Sequence, residues 1–167
     1  EGIPDLKKED FTGLSYYSNI TATGWMKTGS DLVNQLISNV RWGLKCNFVD
    51  VPTDCPQRDE LMGWTGDAQV FSWTAAFNRE TALFFTKWMR DVSAASSLER
   101  GVPHIVPDIQ ETYSSAAWSD AAVIIPWVVY QTYGDTRILE ESWKCMHEWV
   151  DYIHNHVNEN GLWMTNY

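Results

Sequence analysis

The sequence predicts an all-α chain in which buried helices alternate with amphipathic ones. Three observations carry that prediction. Apolar residues recur at helical spacing in several separate stretches. Those stretches are joined alternately by short turns and by long loops punctuated with Gly and Pro. Ten Trp, seven Tyr and six Phe supply large apolar faces to fill the helix interfaces. An inner ring of helices wrapped by an outer ring gives this alternation and gathers the long loops at one end. The pattern holds about five helices, too few to close a ring, so it describes either an open array or part of a larger barrel.

Taken in order, residues 1–29 lack helical periodicity and read as an extended lead-in, with short strands near Leu14–Ile20. Ser30 or Asp31 supplies an N-cap. Val33, Leu36, Ile37, Val40 and Leu44 then recur at helical spacing, which predicts an amphipathic helix over 31–47. Pro56, Gly63 and Gly66 forbid a helix over the next stretch, which reads as an ordered loop. Asp67–Phe77 is apolar on nearly every side, as a fully buried helix is. Asn78 is placed to cap the next helix, whose stripe is Thr81, Phe84, Phe85, Trp88 and Val92. A second loop rich in Gly, Pro and Ser covers 97–115. Ala117–Tyr133 is again apolar all round, with Pro126 predicting a kink or a helix start. Gly134 ends it, Asp135 caps the last helix, and Leu139, Trp143, Met146, Val150, Ile153 and Val157 form its stripe.

Composition narrows the function. With 44% hydrophobic and 20% charged residues over 167 positions, the chain is a globular domain with a core. A formal net charge of −10 argues against nucleic acid, whose phosphates call for a basic surface. No apolar run approaches the roughly 20 residues of a membrane helix. The cysteines Cys46, Cys55 and Cys145 make no metal-type pair, and their odd count fits either buried free thiols or one bridge plus a free thiol. Neither they nor His104, His147, His154 and His156 give a metal set, so no metal and no cofactor is implied. The chain opens on Glu1 with no signal-like segment after it. It reads as cut from something longer, and its compartment is left unassigned.

The chemistry concentrates in one loop. Between Asp54 and Asp67 stand four carboxylates, Arg58 and Trp64. Carboxylates bind hydroxyls and perform acid/base chemistry, while an indole stacks on a pyranose ring, so the group suits a sugar site. Asp59 reads as the ion-pair partner of neighbouring Arg58, and Asp67 as an N-cap for a helix starting near Ala68. Glu60 has no capping or i,i+4 partner by this reading, and Leu61, Met62 and Trp64 surround it. An apolar setting raises a carboxyl pKa, the state a general acid needs.

The run Asn47–Glu60 (NFVDVPTDCPQRDE) followed by Gly63–Gln69 (GWTGDAQ) resembles the signature of the α-L-rhamnosidases of glycoside hydrolase family 78. Val106-Pro107-Asp108 and Ala117–Ala121 are also similar to that family's catalytic domain. The resemblance covers roughly residue 25 onward. It implies the N-terminal part of an (α/α)6 barrel, about five of twelve helices, with 1–29 a lead-in from a preceding domain and 30–167 the incomplete catalytic part. It implies Glu60 as general acid and Asp54, Arg58, Trp64, Asp67 and Trp118 as sugar contacts. The implied reaction is hydrolysis of terminal α-L-rhamnose with inversion, the two carboxyl groups standing about 6.5–9.5 Å apart to admit a water.

Two departures qualify the likeness. Leu61-Met62 replaces the family's usual Arg followed by Leu or Met, removing a charge beside the acid. The family's general base lies beyond Tyr167. These residues alone are therefore expected to be inactive and to need the remainder of the catalytic domain, with a rhamnose-containing oligosaccharide or glycoside as the partner of the whole. The rival readings are another (α/α)6 carbohydrate-active enzyme, a sugar-binding domain without catalysis, and a structural helical array.

Overall fold

In the computed structural model, which describes residues 5–163, five α-helices follow one another: α1 (Asp31–Asn47), α2 (Thr65–Asn78), α3 (Ala82–Ala95), α4 (Ala121–Tyr133) and α5 (Arg137–His156). A minimal antiparallel hairpin, β1 (Phe48–Val49) and β2 (Val51–Pro52), follows α1 directly. α4 packs on α2, α3 and α5, and α3 packs on α5. The core gathers along α4, where Ala121, Ala122, Ile125 and Val129 are buried against Phe85, Trp88, Val92 and Trp149. The short connections α2–α3 and α4–α5 alternate with the long loops 48–64 and 96–120, as the sequence pattern requires.

Local chemistry sets the helix ends. Ser30 holds the N-cap position of α1 without a side-chain bond. The restraint comes from Asn34, whose Oδ1 accepts the Thr28 N–H at 2.8 Å while its Nδ2 donates to the Thr28 carbonyl at 3.0 Å. Asn78 ends α2 and does not cap α3. Its Nδ2 donates back to the Thr74 carbonyl and its Oδ1 accepts from Arg41, so the cap position falls to Thr81. Pro126 lies inside α4 and neither starts nor ends it. Gly134 ends α4 at φ 68, a left-handed conformation that suits a residue without Cβ, and Asp135 Oδ1 then accepts the Arg137 N–H at 3.0 Å.

Five further expectations are corrected. No strand forms at 14–20 among the described residues; the lead-in is extended, with one 3-10 turn at Lys8–Asp10. Its later part is docked on the helices, with Ile20 buried and the Ile20 carbonyl accepting from Arg79 at 2.6 Å. α2 is not buried on every side: Val70, Trp73 and Phe77 are exposed. The stripe of α1 is likewise open, with Leu44 its only buried side chain. In α5 the buried stripe is Ile138, Ser142, Cys145 and Trp149, one residue out of step with the expected one, and Trp143 and Val150 face solvent. Two apolar stripes run along that helix, and α3 and α4 cover only one. All three cysteines are free; Cys145 is buried, Cys55 half-buried and Cys46 exposed rather than buried.

Candidate active site

The two long loops meet at the N-terminal turn of α2. Thr65 N–H donates to the His104 carbonyl at 2.8 Å, and Val106 N–H to the Gly63 carbonyl at 2.9 Å. Gly63 permits that approach, because a Cβ there would strike the Val106 carbonyl oxygen. Trp88 on α3 anchors the second loop from below by donating Nε1–H to the same carbonyl at 3.2 Å. Phe48 anchors the first, stacked on Phe84 at 4.5 Å and set edge-on to Phe85 at 5.7 Å.

Beside this junction opens a cleft of about 560 Å³ between the end of α1, the start of α2 and both loops. Asn47, Thr53, Asp54, Asp67 and Gln69 supply its polar lining; Leu44, Phe48, Phe71 and Trp118 supply much of the apolar lining. Asp54 is fixed through its N–H, which donates to the Met62 carbonyl at 3.0 Å, and through Oδ2, which accepts the Cys55 thiol at 2.8 Å. Trp118 lies across Gly66, and a Cβ at that glycine would stand 2.8 Å from Trp118 Cδ1.

Asp67 is the third residue of α2, not its cap. The Thr65 N–H is met by the His104 carbonyl, so loop-to-loop contact does what a capping carboxylate would have done, and Asp67 faces the cleft. Its carboxyl is raised above the ordinary value. Loss of water is the largest cause, although the residue as a whole is open to solvent; the charge of Asp54 comes next, its own N–H opposes, and Glu60 adds.

Glu60, Arg58 and Trp64 are not in that lining and form a second group next to it. Arg58 Nη2 lies 2.7 Å from Glu60 Oε2, and Trp64 Nε1–H donates to Glu60 Oε1. Two expectations change here. Arg58 pairs with Glu60 and not with Asp59, and the surroundings of Glu60 are polar, with an i,i+4 partner in Trp64.

Residues 21–167 match the family model of the bacterial alpha-L-rhamnosidase 6 hairpin glycosidase domain. The chain belongs to that family. An alpha-L-rhamnosidase of Formosa agariphila is 43% identical over 164 residues, 93% of this chain and 18% of the relative. One from Streptomyces avermitilis is 38% identical over 146 residues, 87% of this chain and 14% of the relative. The solved structure of Streptomyces avermitilis alpha-L-rhamnosidase complexed with L-rhamnose is similar at a TM-score of 0.82 and 38% identity, over 85% of this chain and 14% of that one. That of native Aspergillus terreus alpha-L-rhamnosidase gives 0.81 and 36%, over 89% and 17%. The chain thus spans less than a fifth of the length of these relatives, at 14% to 18%. The alternating helices are part of the (α/α)6 barrel of rhamnosidases.

Within this rhamnosidase domain the six residues singled out from sequence fall into two adjoining groups: Asp54, Asp67 and Trp118 on the cleft, and Glu60, Arg58 and Trp64 beside it. Asn47 and Gln69 also line the cleft and were not singled out, though both lie inside the signature run. His104 sits 5.6 Å from Trp118, ring to ring, with Nε2 2.7 Å from Ser115 Oγ; burial lowers its pKa and the charge of Asp108 opposes. The Cys55 thiol is pushed up, first by its bond to Asp54, then by desolvation and the Asp54 charge. It is no activated nucleophile. Among the described residues no group of three His, Cys, Asp or Glu could hold a metal, and no helix is long and apolar enough to cross a membrane.

Proposed function

We propose that the full-length protein removes terminal α-L-rhamnose from oligosaccharides or glycosides by an inverting mechanism, with Glu60 as its general acid. The observation that carries this reading is the placement of Glu60, gripped on both oxygens by Arg58 and Trp64, beside a cleft that holds Asp54, Asp67 and Trp118. Asp54 and Asp67 accept sugar hydroxyls. Trp118 and the face of Trp64 pack on the ring and its C6 methyl, which favours a deoxy sugar. To give a proton to the leaving glycosidic oxygen, Glu60 must release one acceptor contact. Arg58, with its side chain 57% exposed, is the partner able to swing to a hydroxyl pair of the sugar.

In this reading a second carboxylate from sequence beyond Tyr167 activates the water, and residues 1–167 alone do not turn over. Residues 30–167 form the N-terminal part of the catalytic domain and 1–29 its lead-in. The reaction requires no cofactor, since two carboxylates and water suffice. The test is hydrolysis of a rhamnosyl disaccharide by the full-length protein, wild type beside Glu60→Gln. Loss of the general acid lowers the rate about 10²–10⁴-fold, while a nitrophenyl rhamnoside, whose leaving group needs little protonation, is far less affected. Equal rates on the disaccharide refute the assignment of Glu60.

A further inference from the structure

Ala117 stands at φ 71, a left-handed conformation that residues with a Cβ rarely take and that persists where the surroundings dictate it. The surroundings here are two side chains from different elements. Gln69 on α2 donates its amide Nε2–H to the Ala117 carbonyl at 2.7 Å, and the Ala117 N–H donates to Asp120 Oδ2 at 2.8 Å. Asp120 is itself held from α5, because its Oδ1 accepts the indole N–H of buried Trp149 at 3.0 Å. The residue positioned by this strut is the next in sequence, Trp118, whose indole rests on Gly66 at the cleft.

The parts are arranged as a brace for that indole. Gly66 leaves no slack beneath the ring. Ala117, the residue before the ring, is pinned at its carbonyl by Gln69 of α2 and at its N–H by Asp120. The Gln69 bond is exposed, so it adds little to the stability of the fold. What it does set is the direction in which the chain leaves Ala117. We propose that Gln69 is a positioning residue for sugar binding: through the Ala117 carbonyl it fixes Trp118 as a wall of the cleft, with Asp120 and Trp149 completing the strut on the α5 side. This rests on the reading of Trp118 as a sugar contact.

The test is a double-mutant cycle in the full-length protein, read as affinity for free L-rhamnose by titration calorimetry. Gln69→Met keeps the side-chain length and removes the donor. It weakens binding about two- to threefold, the low end of what one hydrogen bond is worth, with the unfolding temperature little changed. Gln69→Glu keeps a polar head without the donor and acts the same way, which covers failure of the methionine variant to fold. Trp118→Ala weakens binding on its own, and adding either Gln69 substitution to it costs nothing further, because Gln69 acts through the indole. Additive losses overturn the proposal, as does full affinity in both Gln69 variants, and the reading of Trp118 then survives. Full affinity in Trp118→Ala removes Trp118 as a sugar contact and the strut proposal with it.

Discussion

The indole N–H of Trp64 donates to Oε1 of Glu60 four residues earlier, across a turn that is not helical. The bond fixes the carboxyl without consuming the face of the ring, so one tryptophan can both orient the proposed acid and pack on a sugar. Trp64→Phe separates the two functions. The ring remains and the donor is lost, so kcat for a rhamnosyl disaccharide should fall about tenfold or more, as for other hydrogen bonds to a charged group, while affinity for free L-rhamnose holds. Steady-state kinetics and titration on the full-length protein check this; a loss of affinity with kcat intact would contradict it.

Arg58 gives a contrast between stability and activity. Its pair with Glu60 is more than half exposed on the arginine side, and such a pair contributes only about 0–1 kcal/mol. Arg58→Ala should therefore leave the unfolding temperature nearly unchanged while raising KM for the disaccharide. Arg58→Lys should not restore it, because a point charge cannot reproduce the two-pronged guanidinium contact. Full rescue by lysine would show that only the charge matters.

How far the sequence disclosed these groups follows from which forces set them. The order of helices and loops was legible because it depends on periodicity and on Gly and Pro, both local properties. Glu60 was legible as a candidate, but its partners were not. Trp64 sits at i+4 in a segment with no helix, and only the folded turn brings its N–H round. The α5 stripe was misplaced because Ser142 and Cys145 carry the buried face by virtue of their size, opposite Ser96 at 3.4 Å from Cys145 Sγ, whereas Leu139, Trp143 and Val150 look more apolar. The start of α2 at Thr65 depended on a bond from a loop about forty residues away, from the His104 carbonyl, which no local pattern announces.

The two cleft aspartates make a prediction about pH. Asp67 has its folded pKa raised above the ordinary 3.8. Its contribution to stability is therefore fully present below about that value and is lost as pH rises through the folded pKa. Asp67→Asn does not titrate. The melting temperature of the variant relative to wild type should accordingly be least favourable in acid, rise as pH climbs through the raised pKa, and then level off. Because the charge of Asp54 is the second cause, the same rise should be smaller in an Asp54→Asn background. A difference independent of pH would show that Asp67 titrates normally.

Two glycines should respond differently to alanine. At Gly63 the added Cβ meets the Val106 carbonyl oxygen, buried backbone already bonded to Trp88. Neither can yield, and Gly63→Ala should cost about 1–3 kcal/mol of stability. At Gly66 the Cβ meets the half-exposed indole of Trp118, which can tilt away. Alanine also favours the helix by about 0.5–1 kcal/mol, so stability should change little while L-rhamnose affinity falls. Unfolding and titration of both variants separate the cases. Equal destabilisation would mean that Trp118 is as rigid as backbone.

Thiol reactivity reports on Asp54 without any substrate. Cys55 Sγ donates to Asp54 Oδ2 at 2.8 Å, and that bond is the largest cause of its raised pKa, ahead of desolvation and the aspartate charge, with Arg58 opposing. Alkylation proceeds through the thiolate, so at mildly alkaline pH iodoacetamide should label exposed Cys46 first and Cys55 more slowly. Cys145, buried and also raised chiefly by desolvation, should be labelled last. Asp54→Asn removes the anionic acceptor and the charge together, and should speed labelling of Cys55 while leaving Cys46 as it was. Peptide mass spectrometry over a time course reads all three sites at once. Unchanged labelling of Cys55 in that variant would mean that the thiol is shielded sterically rather than held protonated by Asp54, and the carboxylate would then reach the cleft without that restraint.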